Sequence, residues 1–189
     1  QFFQWKLPKP NHFNFSTILT CKEFREEFVT KAFEKIVEHH DSLRSIFKNN
    51  KQVILGMDKS AKFEFELFEG TEIKEENITK SVSELQKSFD ICTGPLIKLA
   101  LYKTSTTDYL FICIHHLVVD AISWSIIIED FINSYQQLEQ GNEEIILPLK
   151  TMSFKEWTEL LWKYNKEGYF ESEVKYWKQQ CRKIHKIQM

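Results

Sequence analysis

The chain has 189 residues, with 25 basic and 27 acidic side chains spread along it and a formal charge of −2. That balance leaves no basic block for a nucleic-acid footprint, so nucleic acid is not an expected partner. Hydrophobic residues make up 42% and aromatics 14%, enough to fill one sizeable core, while five Gly and four Pro exclude a disordered chain.

From the N-terminus, Phe13 to Thr20 alternates and is β-branched, which predicts a strand. Phe24, Phe28, Ala32, Phe33, Ile36, Val37 and His40 recur at helical spacing, predicting an amphipathic helix from about Glu23 to His39. Arg44 to Phe47 and Gln52 to Leu55 read as two strands joined by a turn at Asn49-Asn50. Phe63, Phe65 and Leu67 alternate with acidic residues as a half-exposed strand. An acidic loop follows, then a helix from about Glu76 to Phe89.

Gly94-Pro95 marks a turn into a strand from Leu96 to Lys103. Polar residues 104–108 then turn the chain into the continuous apolar run Tyr109 to Ile114, which suits a strand covered on both faces. Beyond His115-His116, residues Trp124, Ile127, Ile128, Phe131, Tyr135 and Leu138 share one helical face, and Gly141-Asn142 ends that helix. Two further helices rich in Trp and Tyr are expected from Met152 onward. The expected fold class is therefore α/β, an α+β sandwich of helices packed on a mixed β-sheet.

The four cysteines, Cys21, Cys92, Cys113 and Cys181, show no CxxC spacing and are expected to be reduced, partly buried thiols. The first residues lack a secretory signal pattern, and the longest apolar run is too short for a bilayer, so a cytoplasmic chain with no membrane partner is expected. On that basis Asn14 and Asn77 are read as chance matches to the glycosylation pattern. The start at Gln1 and the end at Met189, within a basic helix-like stretch, suggest a piece of a longer protein.

The segment Ile114 to Trp124, IHHLVVDAISW, carries the chemistry. Two adjacent histidines close the most apolar strand, and an aspartate follows the second by four residues. An imidazole fixed by a rigid strand can act as a proton-transfer base beside a loop-ordering carboxylate. By itself the pair reads first as a satisfied structural pair, and only the companion segments below reverse that reading. His39-His40 is the internal control: that pair closes a helix, where imidazoles favour the C-terminal carbonyls, and is read as structural. No histidine pair has metal-ligand spacing, so no metal is expected.

The pattern HHxxxDxxSW, here His115, His116, Asp120, Ser123 and Trp124, resembles the condensation superfamily of nonribosomal peptide synthetases. Two other segments resemble that family in the same order: HHDSLRSIF (His39 to Phe47) and SFDICTGPLIKLAL (Ser88 to Leu101). Within it, Ala121 after the aspartate, DAISWSIIIEDF (Asp120 to Phe131), LPLKTMSFKEW (Leu147 to Trp157) with Tyr176-Trp177, and the opening QFFQW with His12-Phe13-Asn14 are similar to the epimerization branch.

That resemblance implies a chloramphenicol-acetyltransferase-like fold. It also implies that residues 1–189 form the N-terminal of two lobes, which together enclose a tunnel for phosphopantetheine arms. The second lobe, with its catalytic glutamate, is absent from these residues. The implied partners are a peptidyl carrier domain and that second lobe. No cofactor is expected to bind directly, because the substrate arrives on the carrier's phosphopantetheine.

The implied reaction inverts the α-carbon of a carrier-bound aminoacyl or peptidyl thioester. His116 is expected to act as base or acid, because the second histidine holds that place in the family. His115 is expected to be structural, since neighbours on a strand point to opposite faces. Asp120 is expected to pair with a cation, with Arg44 as the candidate. Ser123 could donate near the thioester or cap the following helix, and Trp124 is expected in the core. The other functions considered are peptide-bond formation by a condensation domain and a non-catalytic carrier-docking lobe. The isolated chain is expected to be inactive.

Overall fold

In the computed structural model the residues described are Phe2 and residues 7–59, 62–70 and 75–183. The chain divides into two compact units, Gln1–Pro148 and Leu149–Met189.

The first unit is built on a four-stranded mixed sheet. Its strands are β1 (Asn14–Cys21), β4 (Glu64–Glu69), β5 (Ile97–Lys103) and β6 (Asp108–His115), in the order β1-β6-β5-β4. The β1–β6 and β6–β5 pairs are antiparallel, and β4 runs parallel to β5. A parallel pair needs a crossover, and α2 (Glu75–Lys87) supplies it. Strands β2 (Ser45–Lys48) and β3 (Lys51–Ile54) form a separate hairpin. Asn49 and Asn50 sit at its tip with φ of 51° and 60°, the left-handed pair that a two-residue hairpin requires and that Asn tolerates.

Both faces of the sheet are covered, which explains why β5 and β6 are apolar without alternation. On one face lies α2, tied down where Asn14 Nδ2 donates to the Gln86 carbonyl (2.9 Å) and Tyr102 Oη to Ser81 Oγ (2.8 Å). On the other face α1 (Glu26–His39) packs with α3 (Ala121–Glu139), and Phe33 stacks on Phe131 with ring centres 5.0 Å apart. Val29, Ala32, Phe33 and Ile36 of α1 are fully buried, and each large apolar side chain so placed contributes about 1.5–3 kcal/mol.

The sequence places the start of α1 three residues early. The amide of Phe24 bonds instead to Asp108 Oδ2 (2.8 Å) and that of Arg25 to Tyr135 Oη (2.8 Å). Tertiary acceptors hold these amides, so the helix begins only at Glu26.

The second unit holds α4 (Phe154–Lys166) and α5 (Glu171–Lys183), the two C-terminal helices expected. Ser153 and Glu156 form a capping box at the start of α4. This gives the SFKE stretch a structural reason, and the Ser153 hydroxyl and amide hold the Glu156 carboxyl below its usual value. Gly168, at φ 80°, lies between the two helices.

All four cysteines are free thiols, but only Cys21 and Cys113 are shielded, whereas Cys92 and Cys181 are exposed. Burial in β6 pushes the Cys113 thiol up to about 12, which makes it inert. Among the described residues no helix is long and apolar enough to cross a membrane. The opening residues 1 and 3–6, residues 71–74 of the expected loop and the C-terminal residues 184–189 lie outside the described residues.

Candidate active site

Strand β6 ends at His115, which is paired with Asn14, and its alternation sends the two histidines to opposite sides of the sheet. His115 faces the α2 side, fully buried, with its ring edge toward Phe89 (5.7 Å). Its Nε2 lies 3.0 Å from the Pro10 carbonyl, and its Nδ1 accepts from the Leu117 amide at 3.2 Å. A carbonyl can only accept and an amide can only donate, so the hydrogen sits on Nε2 and the ring is neutral. Burial pushes its pKa down, the Pro10 carbonyl opposes this, and neighbouring His116 adds to the depression. Both nitrogens of His115 are occupied, which leaves the ring a structural role.

His116 takes the opposite arrangement. It is half-buried on the α3 side, and its amide donates to the Phe13 carbonyl (2.8 Å), continuing the β1–β6 ladder by one residue. Nδ1 lies 2.8 Å from the Val119 carbonyl, so the hydrogen sits on Nδ1 and the lone pair of the neutral ring on Nε2. The ring stacks on Phe13 (4.5 Å, 15°) and touches Phe15 (4.3 Å, 52°). Among the described residues nothing is hydrogen-bonded to Nε2. A histidine held this way can take a proton from outside the protein.

Asp120 follows the turn. Its Oδ1 accepts from the Ser123 amide (2.8 Å) and the Ser123 hydroxyl (2.7 Å), making it the N-cap of α3. These bonds, the amide first, hold its carboxyl below the usual range. Ser123 is therefore not the cap, and its hydroxyl hydrogen is directed to Asp120.

The expected Arg44–Asp120 pair does not form. Arg44 instead donates through Nη2 to Asp41 Oδ1 (2.8 Å), through Nη1 to the Val37 and Glu38 carbonyls, and through Nε to the Leu55 carbonyl (3.1 Å). The guanidinium is satisfied by unpaired carbonyls at the end of α1 and a carboxylate three residues away, while Asp120 is satisfied by the first turn of its own helix.

Trp124 is half-buried and packs against the core, with its ring 6.1 Å from Phe15. It borders an open groove of about 420 Å³ between β1 and α3, lined also by Thr17, Leu19, Ile128 and Ile132. The contacts from His116 to Phe15 to Trp124 thus lead from the imidazole to this groove. The sequence reading named Phe13, Phe15 and Val119 within its segments but not their contacts with His116. Nothing local in β1 shows that it pairs with a strand about a hundred residues later. Among the described residues no group of three His, Cys, Asp or Glu side chains could hold a metal ion.

The chain belongs to the condensation-domain family, whose model matches residues 1–189, and its fold is the chloramphenicol-acetyltransferase-like α/β arrangement. Its relatives are nonribosomal peptide synthetases. Gramicidin S synthase 1 of Brevibacillus brevis is 38% identical over 182 residues, 93% of this chain and 16% of that protein. Surfactin synthase subunit 1 of Bacillus subtilis is 37% identical over 185 residues, 94% of this chain but 5% of the relative.

Among solved structures, the epimerization domain from the third module of tyrocidine synthetase B matches 100% of this chain and 44% of its own, with 35% identity and a TM-score of 0.89. The starter condensation domain of rhizomide synthetase RzmA shares the fold at a TM-score of 0.76 and 16% identity, covering 97% of this chain and 46% of its own. The chain thus spans less than half of the domains it resembles and a small part of the synthetases.

Proposed function

We propose that residues 1–189 are the N-terminal lobe of an epimerization domain in a nonribosomal peptide synthetase, acting on an aminoacyl or peptidyl thioester. The single observation that carries this is the geometry of His116: Nδ1 is tied to a carbonyl, and among the described residues Nε2 has no hydrogen-bond partner, at the end of a buried strand. The 35% identity to an epimerization domain and Ala121 after the aspartate favour this branch.

In this reading the substrate enters on the phosphopantetheine arm of a peptidyl carrier domain. His116 Nε2 removes the α-proton, and the electron pair moves onto the thioester carbonyl oxygen as an enolate. A proton returned to the opposite face completes inversion. The glutamate of a second lobe, outside these residues, is the natural second group. Positioned proton transfer contributes about 10²–10⁴-fold, so hydrogen-bond donors to the enolate oxygen must supply much of the remainder. Ile122 and Ile126 of α3, the helix that Asp120 caps, are exposed, and such side chains suit a covering second lobe.

Peptide-bond formation is the second reading, favoured by the family model itself. There His116 would assist an amine attacking the thioester. The parent protein, loaded with an L-aminoacyl thioester and given no acceptor amine, separates the two. Epimerization yields a mixture of L and D residues on hydrolysis from the carrier, whereas condensation leaves the L residue unchanged. The 189 residues alone are expected to turn over neither substrate, because a site between two lobes loses walls and water exclusion when one is removed.

A further inference from the structure

A carbonyl on Nδ1 fixes which nitrogen of His116 is basic, but it does not fix where that nitrogen points. The imidazole can still rock about its Cβ–Cγ bond within the tolerance of that hydrogen bond, because the χ2 torsion of histidine is broad. What restrains the plane is aromatic. Phe13 lies almost parallel to the ring, 15° off with centres 4.5 Å apart, and Phe15 leans against it at 4.3 Å and 52°. Phe15 is the second residue of β1 and Phe13 lies just ahead of the strand, and both rings contact the imidazole. The bond from the His116 amide to the Phe13 carbonyl sets the start of β1 beside the imidazole.

We infer that Phe13 and Phe15 are positioning residues that hold the plane of the His116 imidazole and thereby aim Nε2, an inference that rests on reading His116 as the proton-transfer group. The hydrogen bond selects the tautomer, and the rings restrict the remaining rotation. A base misplaced by about 1 Å can lose about a hundredfold in rate. The ring stack therefore acts on turnover more than on substrate affinity, because neither phenylalanine needs to touch the thioester.

The test uses the parent protein with Phe13→Met, which keeps volume while removing the flat ring, and Phe13→Tyr, which keeps the ring. Racemisation is followed on carrier-loaded substrate with His116→Ala alongside. The expected result is a fall in kcat of at least tenfold in F13M with KM within twofold, and a kcat within threefold of wild type in F13Y. Histidine-ring 15N NMR of the chain should show the Nδ1–H tautomer of His116 retained but the ring more mobile in F13M.

Unchanged kcat in folded F13M beside an inactive H116A would overturn the inference alone, as would equal losses in F13M and F13Y. Full turnover in H116A would overturn the underlying reading and the inference with it. If F13M does not fold, the same comparison between Phe15→Met and Phe15→Tyr decides the matter by the same criteria.

Discussion

His40 and His116 each have a ring nitrogen held by a defined partner, and the more catalytic-looking of the two is the less suited to catalysis. His40 ends α1 with its Nε2 2.6 Å from Oδ2 of Asp130, a carboxylate buried in α3, which makes a His–Asp pair. Yet the carboxylate occupies Nε2 itself, and the pair joins two helices across 90 residues of sequence. The ring of His116 has a backbone carbonyl instead, but it lies on Nδ1 and leaves Nε2 without a hydrogen-bond partner among the described residues. An orienting group serves catalysis only when it engages the nitrogen that the reaction does not use.

That contrast separates loss of chemistry from loss of fold. The largest effect is expected from His116→Ala in the parent protein: proton exchange at the α-carbon falls by at least about a hundredfold, while circular dichroism and melting stay near wild type. A melting loss comparable to the activity loss would merge the two sites and break the comparison. His40→Ala should do the reverse. It strands a buried carboxylate, which costs about 3 kcal/mol in denaturant unfolding, with turnover per folded molecule unchanged. A variant with normal stability would show that the pair does not join the helices as described.

Asp120→Ala comes next and sharpens the assignment of the carboxylate as a cap. It should cost about 1 kcal/mol, with Asp120→Asn retaining most of that because an amide oxygen also accepts. If Asp120→Asn were as damaging as alanine, charge rather than capping would be at work.

The smallest effect is a pH dependence from His115, the neighbour whose pKa burial lowers. A ring with a folded pKa below the unfolded value of about 6.5 binds fewer protons when folded. Its contribution is whole above about 6.5 and is lost as pH falls through the depressed folded value. The acid-side slope of unfolding free energy against pH should therefore be shallower in His115→Asn, by at most one proton. An unchanged slope would mean that His115 is not the neutral member of the pair.

How much of this was legible depended on the range of each contact. The β6 run, the amphipathic face of α1 and the Asn49-Asn50 turn are local patterns, and apart from the start of α1 the elements fall close to where those patterns predict. The opposite orientation of His115 and His116 follows from strand alternation alone. The Arg44–Asp120 pairing failed because a charge takes the nearest adequate partner: Arg44 found Asp41 and the end of α1, and Asp120 found Ser123. The His40–Asp130 pair and the Phe13–His116 stack were invisible for another reason. Each joins elements about a hundred residues apart, and no local spacing encodes that pairing.

The central claim is that His116 moves a proton at the α-carbon of a carrier-bound thioester. The most direct measurement is deuterium wash-in at that carbon by the parent protein in heavy water, with no acceptor amine present. Mass spectrometry of the residue hydrolysed from the carrier should show deuterium in wild type and almost none in H116A. A residue free of deuterium in wild type, or equal incorporation in both proteins, would contradict the claim.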